Sequence, residues 1–253
     1  MCCAVERVYV ASSVAEAFEQ KVIAHAKTYK AGNGLDEASS IGPLVSELQR
    51  TTVHNHVQAA KKAGARCVLG GTMPPAASPG TFYPPTVLCG VPHAAKEITQ
   101  EETFGPVVAI STFDGDDDTA VALANDSTYG LTASVYSSDL QRAGQIAARL
   151  AAGQVGINNN ALSGARSILC PFVGHKKSGY GTHSGKDGWR QFSTPKSLIY
   201  MGAPPPPAVL PTLAQPLPGG GKQGSSSSST ASLVAAALAG AAVAFAAVAV
   251  ARK

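Results

Sequence analysis

Hydrophobic and polar positions alternate along residues 1 to about 200 in two rhythms, one matching helical turns and the other short extended runs. Residues 8–10 form the first extended run. Ser13-Val14-Ala15-Glu16 then has the form of a helix start, in which the serine accepts from a first-turn N–H and the glutamate reaches back. Val14, Phe18, Val22, Ala26 and Tyr29 recur at one-turn spacing up to a stop at Gly32 or Gly34, giving an amphipathic helix of about four turns. A second helix is expected over about 46–62, with Leu48, Val53, Val57 and Ala60 inward and Gly64 as its cap.

Beyond Gly64 the two rhythms interleave. Extended runs are expected at 66–69, 86–88, 107–113, 132–136 and 154–158, and helices near 93–101, at 116–125 and at 141–152. Three carboxylates, Asp116 to Asp118, stand in the first turn of one of these helices and suit its dipole, which explains them more simply than a cation site does. Such alternation predicts an α/β fold, with helices packed on a twisted, largely parallel sheet.

Composition changes the picture at the end of the chain. Of the 253 residues 45% are hydrophobic and 14% charged, but residues 203–253 are nearly free of charge and rich in Ala, Pro, Ser and Gly. We therefore expect a folded domain over 1–201, a disordered Pro/Gly/Ser-rich linker over 202–230, and an apolar helix over 231–251, followed by Arg252-Lys253. The last stretch has no charged residue and as a helix spans roughly 31 Å, enough for a bilayer core of about 30 Å. Its alanine content weakens that expectation, and an unanchored low-complexity tail is the alternative. On the anchored reading the catalytic part faces the cytosol.

The formal net charge of +4 comes from scattered Lys and Arg, so no nucleic-acid partner is expected. Five cysteines and no secretory signal favour a reducing compartment. The histidines lack zinc-site spacing, and no metal is expected. His54 and His56, two apart on one helix, read as surface residues facing different directions.

The candidate chemistry begins at Met1-Cys2-Cys3-Ala4-Val5-Glu6-Arg7-Val8-Tyr9-Val10. By themselves adjacent cysteines read as small buried hydrophobes. Cys-x-Ala-x-x-Arg before a β run, however, resembles the nucleophile motif of the aldehyde dehydrogenase superfamily. Gly42-Pro43-Leu44, Gly70-Gly71, Tyr83-Pro84-Pro85-Thr86-Val87-Leu88, Glu101-Glu102-Thr103-Phe104-Gly105-Pro106-Val107 and Leu123-Ala124-Asn125-Asp126-Ser127-Thr128-Tyr129-Gly130-Leu131 are similar to that family in the same order. So are Gly153-Gln154-Val155-Gly156-Ile157-Asn158 and Pro171-Phe172-Val173-Gly174-His175-Lys176-Lys177-Ser178-Gly179-Tyr180-Gly181.

The resemblance implies an aldehyde dehydrogenase-like catalytic domain acting on an aldehyde substrate with NAD or NADP, and a homo-oligomer when complete. Cys2 takes the nucleophile position: its thiolate attacks the aldehyde carbon, hydride passes to nicotinamide, and water cleaves the thioester. Sulfur suits this because a thiolate is nucleophilic near neutral pH and its thioester stays hydrolysable. The backbone N–H of the cysteine is one expected oxyanion donor. Cys3 is expected to be structural. Glu102 matches the glutamate that holds the nicotinamide ribose, and Phe104 the aromatic residue beside the nicotinamide ring. Asn158 and Phe172 are expected to buttress the site, and Ser178, Gly179 and Gly181 to shape its closing turn.

Two departures, Val173 for a glycine and Thr182-His183 for Arg-Glu, put the local turn in question. The family also carries, before its cysteine, a Rossmann-type domain, a water-activating glutamate and an oxyanion-binding asparagine. The chain contains none of these and no glycine-rich phosphate loop, so it reads as truncated at its start and inactive alone. The alternative is a non-catalytic, membrane-tethered module that docks on a full-length homologue.

Overall fold

The computed structural model describes residues 3–75, 79–159, 169–199, 201–202 and 248–249. Cys2, the stretch 203–230 and all but two residues of 231–251 lie outside them. The chain divides into one unit of Met1–Phe192 with Val243–Lys253 and another of Ser193–Ala242. The first carries the elements below.

Strand β1 (Arg7–Ala11) runs without an intervening residue into helix α1 (Ser12–Ala26). The helix starts two residues earlier than the expected cap at Ser13 implies, with Ala11 as its N-cap and no side-chain cap, while Ser12 Oγ donates to Phe113 O. Val14, Phe18, Val22 and Ala26 pack on the sheet as their spacing implies. Buried Glu19 on this face is matched by Arg66 at 2.8 Å.

Helix α2 (Glu47–Lys62) is capped by Ser46 Oγ, which accepts from Gln49 N, and ends where Gly64 takes φ 108. That conformation costs glycine little. Val53, Val57 and Ala60 are fully buried, but Leu48 is 78% exposed. Five residues before Val53, Leu48 falls off the buried stripe, and Arg50 occupies the inward position.

Strands β2 (Arg66–Leu69), β3 (Thr86–Cys89) and β4 (Val107–Phe113) follow, with the single-turn helix α3 (Lys96–Thr99) between the last two. This helix is shorter than expected because Thr99 Oγ1 bonds back to His93 O and Ala95 O. Helix α4 (Asp117–Asn125) has Asp116 as its cap. Its next two carboxylates, Asp117 and Asp118, pair with Arg142 and Arg149. The remaining larger elements are β5 (Tyr129–Gly130), β6 (Thr132–Tyr136), α5 (Leu140–Ala147) and β7 (Gln154–Ile157). Helix α5 stops short because the Asn125 amide takes Arg149 O and the Ala151 N–H, closing the chain on itself.

Short pieces complete the unit: β8 (Phe172–Val173), β9 (His175–Lys176), β10 (Thr182–His183), α6 (Gly185–Arg190) and β11 (Val248–Ala249). The main sheet runs β2-β3-β4-β1-β11-β6-β7 and is parallel except for β2 against β3. Helix α1 covers one face over Val8, Val10, Val87, Cys89 and Ile110. The other face is covered by α2 over Leu88, Val107 and Ala109, and by α4 and α5 over Tyr9 and Val135.

Of the expected helix over 231–251 only two residues are described, and the rest lies outside the described residues. Val248 and Ala249 are extended and pair through their backbone on both sides, with β1 and β6. Among the described residues no helix is long and apolar enough to cross a membrane.

Candidate functional site

A cleft of about 330 Å³ opens where β1 and β6 begin, with Glu6, Arg7, Glu102, Asn125, Thr132 and Ser178 among its walls. It lies at the amino ends of the parallel strands. In open α/β sheets ligand crevices usually form at the carboxyl ends, but here β1 turns directly into α1 and leaves no loop to build one.

The segment that follows Cys2 is held at three points. Thr132 Oγ1 donates to Cys3 O at 3.4 Å, tying the segment to β6. The Glu6 carboxylate accepts from Thr103 N at 2.9 Å and Phe104 N at 2.7 Å. Burial raises the Glu6 pKa against the lowering effect of these two N–H groups, and nearby Glu102 raises it further. The Arg7 guanidinium donates to Ala124 O at 2.9 Å, to Leu123 O and Asp126 O at 3.4 and 3.3 Å, and to Tyr9 Oη at 3.1 Å. It thereby caps the carboxyl end of α4, where a cation is favourable.

Two other segments reach the same helix end. Lys176 Nζ donates to Asn125 O and Ser127 O at 2.7 and 2.8 Å, and Gln100 Nε2 to Asp126 O at 2.9 Å. The carbonyls of five successive residues, Leu123 to Ser127, thus accept from side chains of the cysteine motif, the Glu-Glu-Thr-Phe-Gly motif's approach and the closing motif. Ser178 Oγ accepts from Gly130 N at 2.9 Å, and Gly179 and Gly181 have φ 129 and 83, so the closing turn forms as expected. The departures at Val173 and Thr182-His183 pair with each other, as β8 against β10, and the turn is kept.

Glu102 is exposed in the cleft wall, and Phe104, beside it, is 42% exposed with φ 48. A bulky residue in the left-handed region is strained. Its loop is clamped from α2: Gln49 Nε2 donates to Thr103 O and Phe104 O at 2.9 and 3.4 Å, and His56 Nδ1 lies 3.1 Å from Thr103 Oγ1. His54 is likewise 3.2 Å from the buried Tyr83 hydroxyl. Both histidines, expected at the surface, are half-buried hydrogen-bond partners, and burial lowers the His56 pKa. Asn158, at φ 49, bonds Ser137 N and Ser137 O through its amide, and Phe172 is half-buried at the edge of His183.

The structure therefore bonds the Phe104 loop to the segment leading from Cys2, which itself lies outside the described residues, and places Glu102 and Ser178 in the wall of the same cleft. Sequence reasoning missed Glu6, Gln49, His56 and Lys176. Only Glu6, inside the cysteine motif, carried a positional hint. Among the described residues there is no group of three or more His, Cys, Asp or Glu able to hold a metal, and Cys67, Cys89 and Cys170 are free thiols.

Residues 1–198 match the sequence profile of the aldehyde dehydrogenase family. A succinate-semialdehyde dehydrogenase of Paenarthrobacter nicotinovorans is 42% identical over 193 residues, covering 76% of this chain and 41% of that protein. A succinate semialdehyde dehydrogenase of Escherichia coli (strain K12), whose name specifies NAD(P)+, is 39% identical over 194 residues, covering 76% and 40%. Among solved structures, the betaine aldehyde dehydrogenase of Staphylococcus aureus in complex with NAD+ superposes with a TM-score of 0.67 at 32% identity, over 78% of this chain and 41% of that one. The chain spans about two fifths of the length of these relatives. With the motif order, the sheet and the cleft in agreement, the chain belongs to the aldehyde dehydrogenase family.

Proposed function

We propose that this chain is the cysteine-bearing part of an enzyme that oxidises aldehydes to carboxylic acids with NAD or NADP. The observation that carries the reading is the direct bond between the cysteine segment and the Phe104 loop, made by Glu6 in a chain of this family. On this reading the Cys2 thiolate adds to the carbonyl carbon to give a thiohemiacetal, loss of hydride leaves a thioester, and water releases the acid and the thiol. Nicotinamide, when bound, supplies the hydride acceptor.

The residues fit one end of that cofactor. Glu102 offers an exposed carboxylate to ribose hydroxyls, and Phe104 a half-exposed ring beside the nicotinamide. They do not fit its phosphates. Among the described residues the β1–α1 connection has no loop, and the β4–α4 connection carries Asp114 and Asp116, whose charge disfavours a phosphate. On this reading the diphosphate is held outside the described residues, by a coenzyme-binding portion such as the relatives' additional length provides.

The test is aldehyde-dependent formation of reduced NAD or NADP by the chain expressed with the coenzyme-binding portion of a relative. The aldehyde panel runs from small polar compounds, as in the relatives' names, to long aliphatic ones. Activity that is abolished by Cys2→Ser supports the reading, and no reduction across the panel refutes it. Membrane tethering through 231–251 belongs to the same proposal and rests on that charge-free stretch alone. Retention in the pellet after alkaline carbonate washing, lost on deleting 231–253, supports it, and recovery of the intact chain in the supernatant refutes it.

A further inference from the structure

Glu6 occupies an unusual place. Its two carboxyl oxygens accept from successive backbone N–H groups, those of Thr103 and Phe104, ninety-seven and ninety-eight residues away in sequence. Successive N–H groups beside a left-handed residue make a small concavity suited to an anion, and Phe104 has the left-handed φ of 48. The same loop is already tied to α2 through its carbonyls, by Gln49, and through Thr103 Oγ1, by His56. The α2 contacts hold the loop to the body of the domain. The contact from Glu6 does something different, since it alone among these clamps comes from the segment that carries the cysteines.

We propose that Glu6 is a positioning residue, whose carboxylate fixes the register between the Cys2 segment and the Glu102–Phe104 loop. The inference rests on Cys2 as nucleophile and on this loop as the nicotinamide side of the site. Three neighbouring anchors divide the labour. Thr132 holds Cys3 to β6, Arg7 holds the start of β1 to α4, and Glu6 sets the distance to the residues that face the cofactor. A carboxylate is required because both atoms facing the loop must accept. A glutamine of the same shape presents one oxygen and one N–H donor, and the donor opposes a backbone N–H.

The experiment uses the full 253-residue chain. Amide hydrogen exchange is followed at Thr103 and Phe104, and alkylation of Cys2 by iodoacetamide is followed by peptide mass mapping against the exposed Cys170. Glu6→Gln is expected to raise exchange at the two amides roughly ten- to hundred-fold, the loss of charge-assisted bonds. It should also shift the Cys2 to Cys170 alkylation ratio by about three-fold or more. Glu6→Asp keeps the charge and reaches only one N–H, so it restores part of both readouts, and it carries the test should the glutamine variant fail to fold. Gln49→Leu is the control: it loosens the carbonyl side of the loop without touching the cysteine segment, and should leave the Cys2 ratio unchanged. Exchange within about two-fold of the parent in Glu6→Gln overturns the proposal. So does faster exchange with an unchanged Cys2 ratio. A parent Cys2 that reacts no faster than Cys170 refutes the nucleophile reading by itself, while the amide exchange still decides whether Glu6 holds the loop.

Discussion

Replacing Arg7 by methionine keeps most of the side-chain stem and removes the guanidinium. Among backbone carbonyls the structure gives that group one contact near the N–H···O optimum, to Ala124 O at 2.9 Å, and two longer ones, to Leu123 O and Asp126 O at 3.4 and 3.3 Å. A charge-assisted bond at good geometry contributes about 1.5 kcal/mol, and bonds stretched beyond the usual range much less. The charge at the carboxyl end of α4 adds roughly 0.5–1 kcal/mol. Water can reach part of this helix end, so the stranded carbonyls are not fully penalised. We expect a loss of about 2–3 kcal/mol, which for a domain of this size lowers Tm by roughly 4–12 °C.

Arg7→Lys keeps the charge but offers a point donor instead of a fork, and should recover only the dipole contribution, about a third of the loss. Urea unfolding followed by far-UV circular dichroism measures both variants. A loss below about 0.5 kcal/mol in Arg7→Met, the range of an ordinary surface substitution, or full recovery in Arg7→Lys, would show that solvent already satisfies these carbonyls. The arginine of the cysteine motif would then have no anchoring role.

Four further outcomes are expected. Burial raises the Glu6 pKa above its ordinary 4.5, so the folded state binds this proton more tightly than the unfolded chain. That contribution is complete below the unfolded pKa and is lost as pH rises through the folded pKa. The urea midpoint of the parent should therefore fall relative to Glu6→Gln as pH is raised from acid to neutral, and a relative rise would reverse the sign of the argument. Val57→Ala, at a fully buried site, should cost about 2 kcal/mol, whereas Leu48→Lys should cost under about 0.5 kcal/mol by the same unfolding measurement. Gly105→Ala would place a Cβ 2.5 Å from the side chain of buried Val53, and a loss of roughly 1–3 kcal/mol in thermal unfolding is expected. Burial and the neighbouring Glu19 push the Cys89 thiol up to about 12, so it should resist alkylation until unfolding while Cys170 reacts in the native state, as peptide mapping will show.

Much of the fold could be read from the sequence because its determinants are local. The strands at 107–113 and 132–136 and the stop of α2 at Gly64 depend on period, β-branched residues and turn chemistry within a few positions. The differences arise where distant groups compete for the same backbone. Ser12 is drawn to β4, Asn125 stops α5, and Leu48 faces solvent because Arg50 reaches inward to Gly80 O. At the site the motifs marked Glu102 and Phe104 but not what holds them. Glu6, Gln49 and Lys176 act on backbone atoms and His56 on a hydroxyl, all remote in sequence, and a contact of that kind leaves no trace in periodicity.

The loop 102–104 shows how such a site can be both rigid and open. Its residues alternate exposed, buried, exposed, as in a strand, although the loop belongs to no sheet. Thr103, the buried member, takes a bond on its N–H from Glu6, on its carbonyl from Gln49 and on its hydroxyl from His56. Its flanking residues are thereby left free to present a carboxylate and an aromatic ring to solvent. Strain at Phe104 persists because the backbone on either side is fixed by groups that do not depend on the ring itself. The exposed positions can then be chosen for chemistry, since the buried ones already determine the shape.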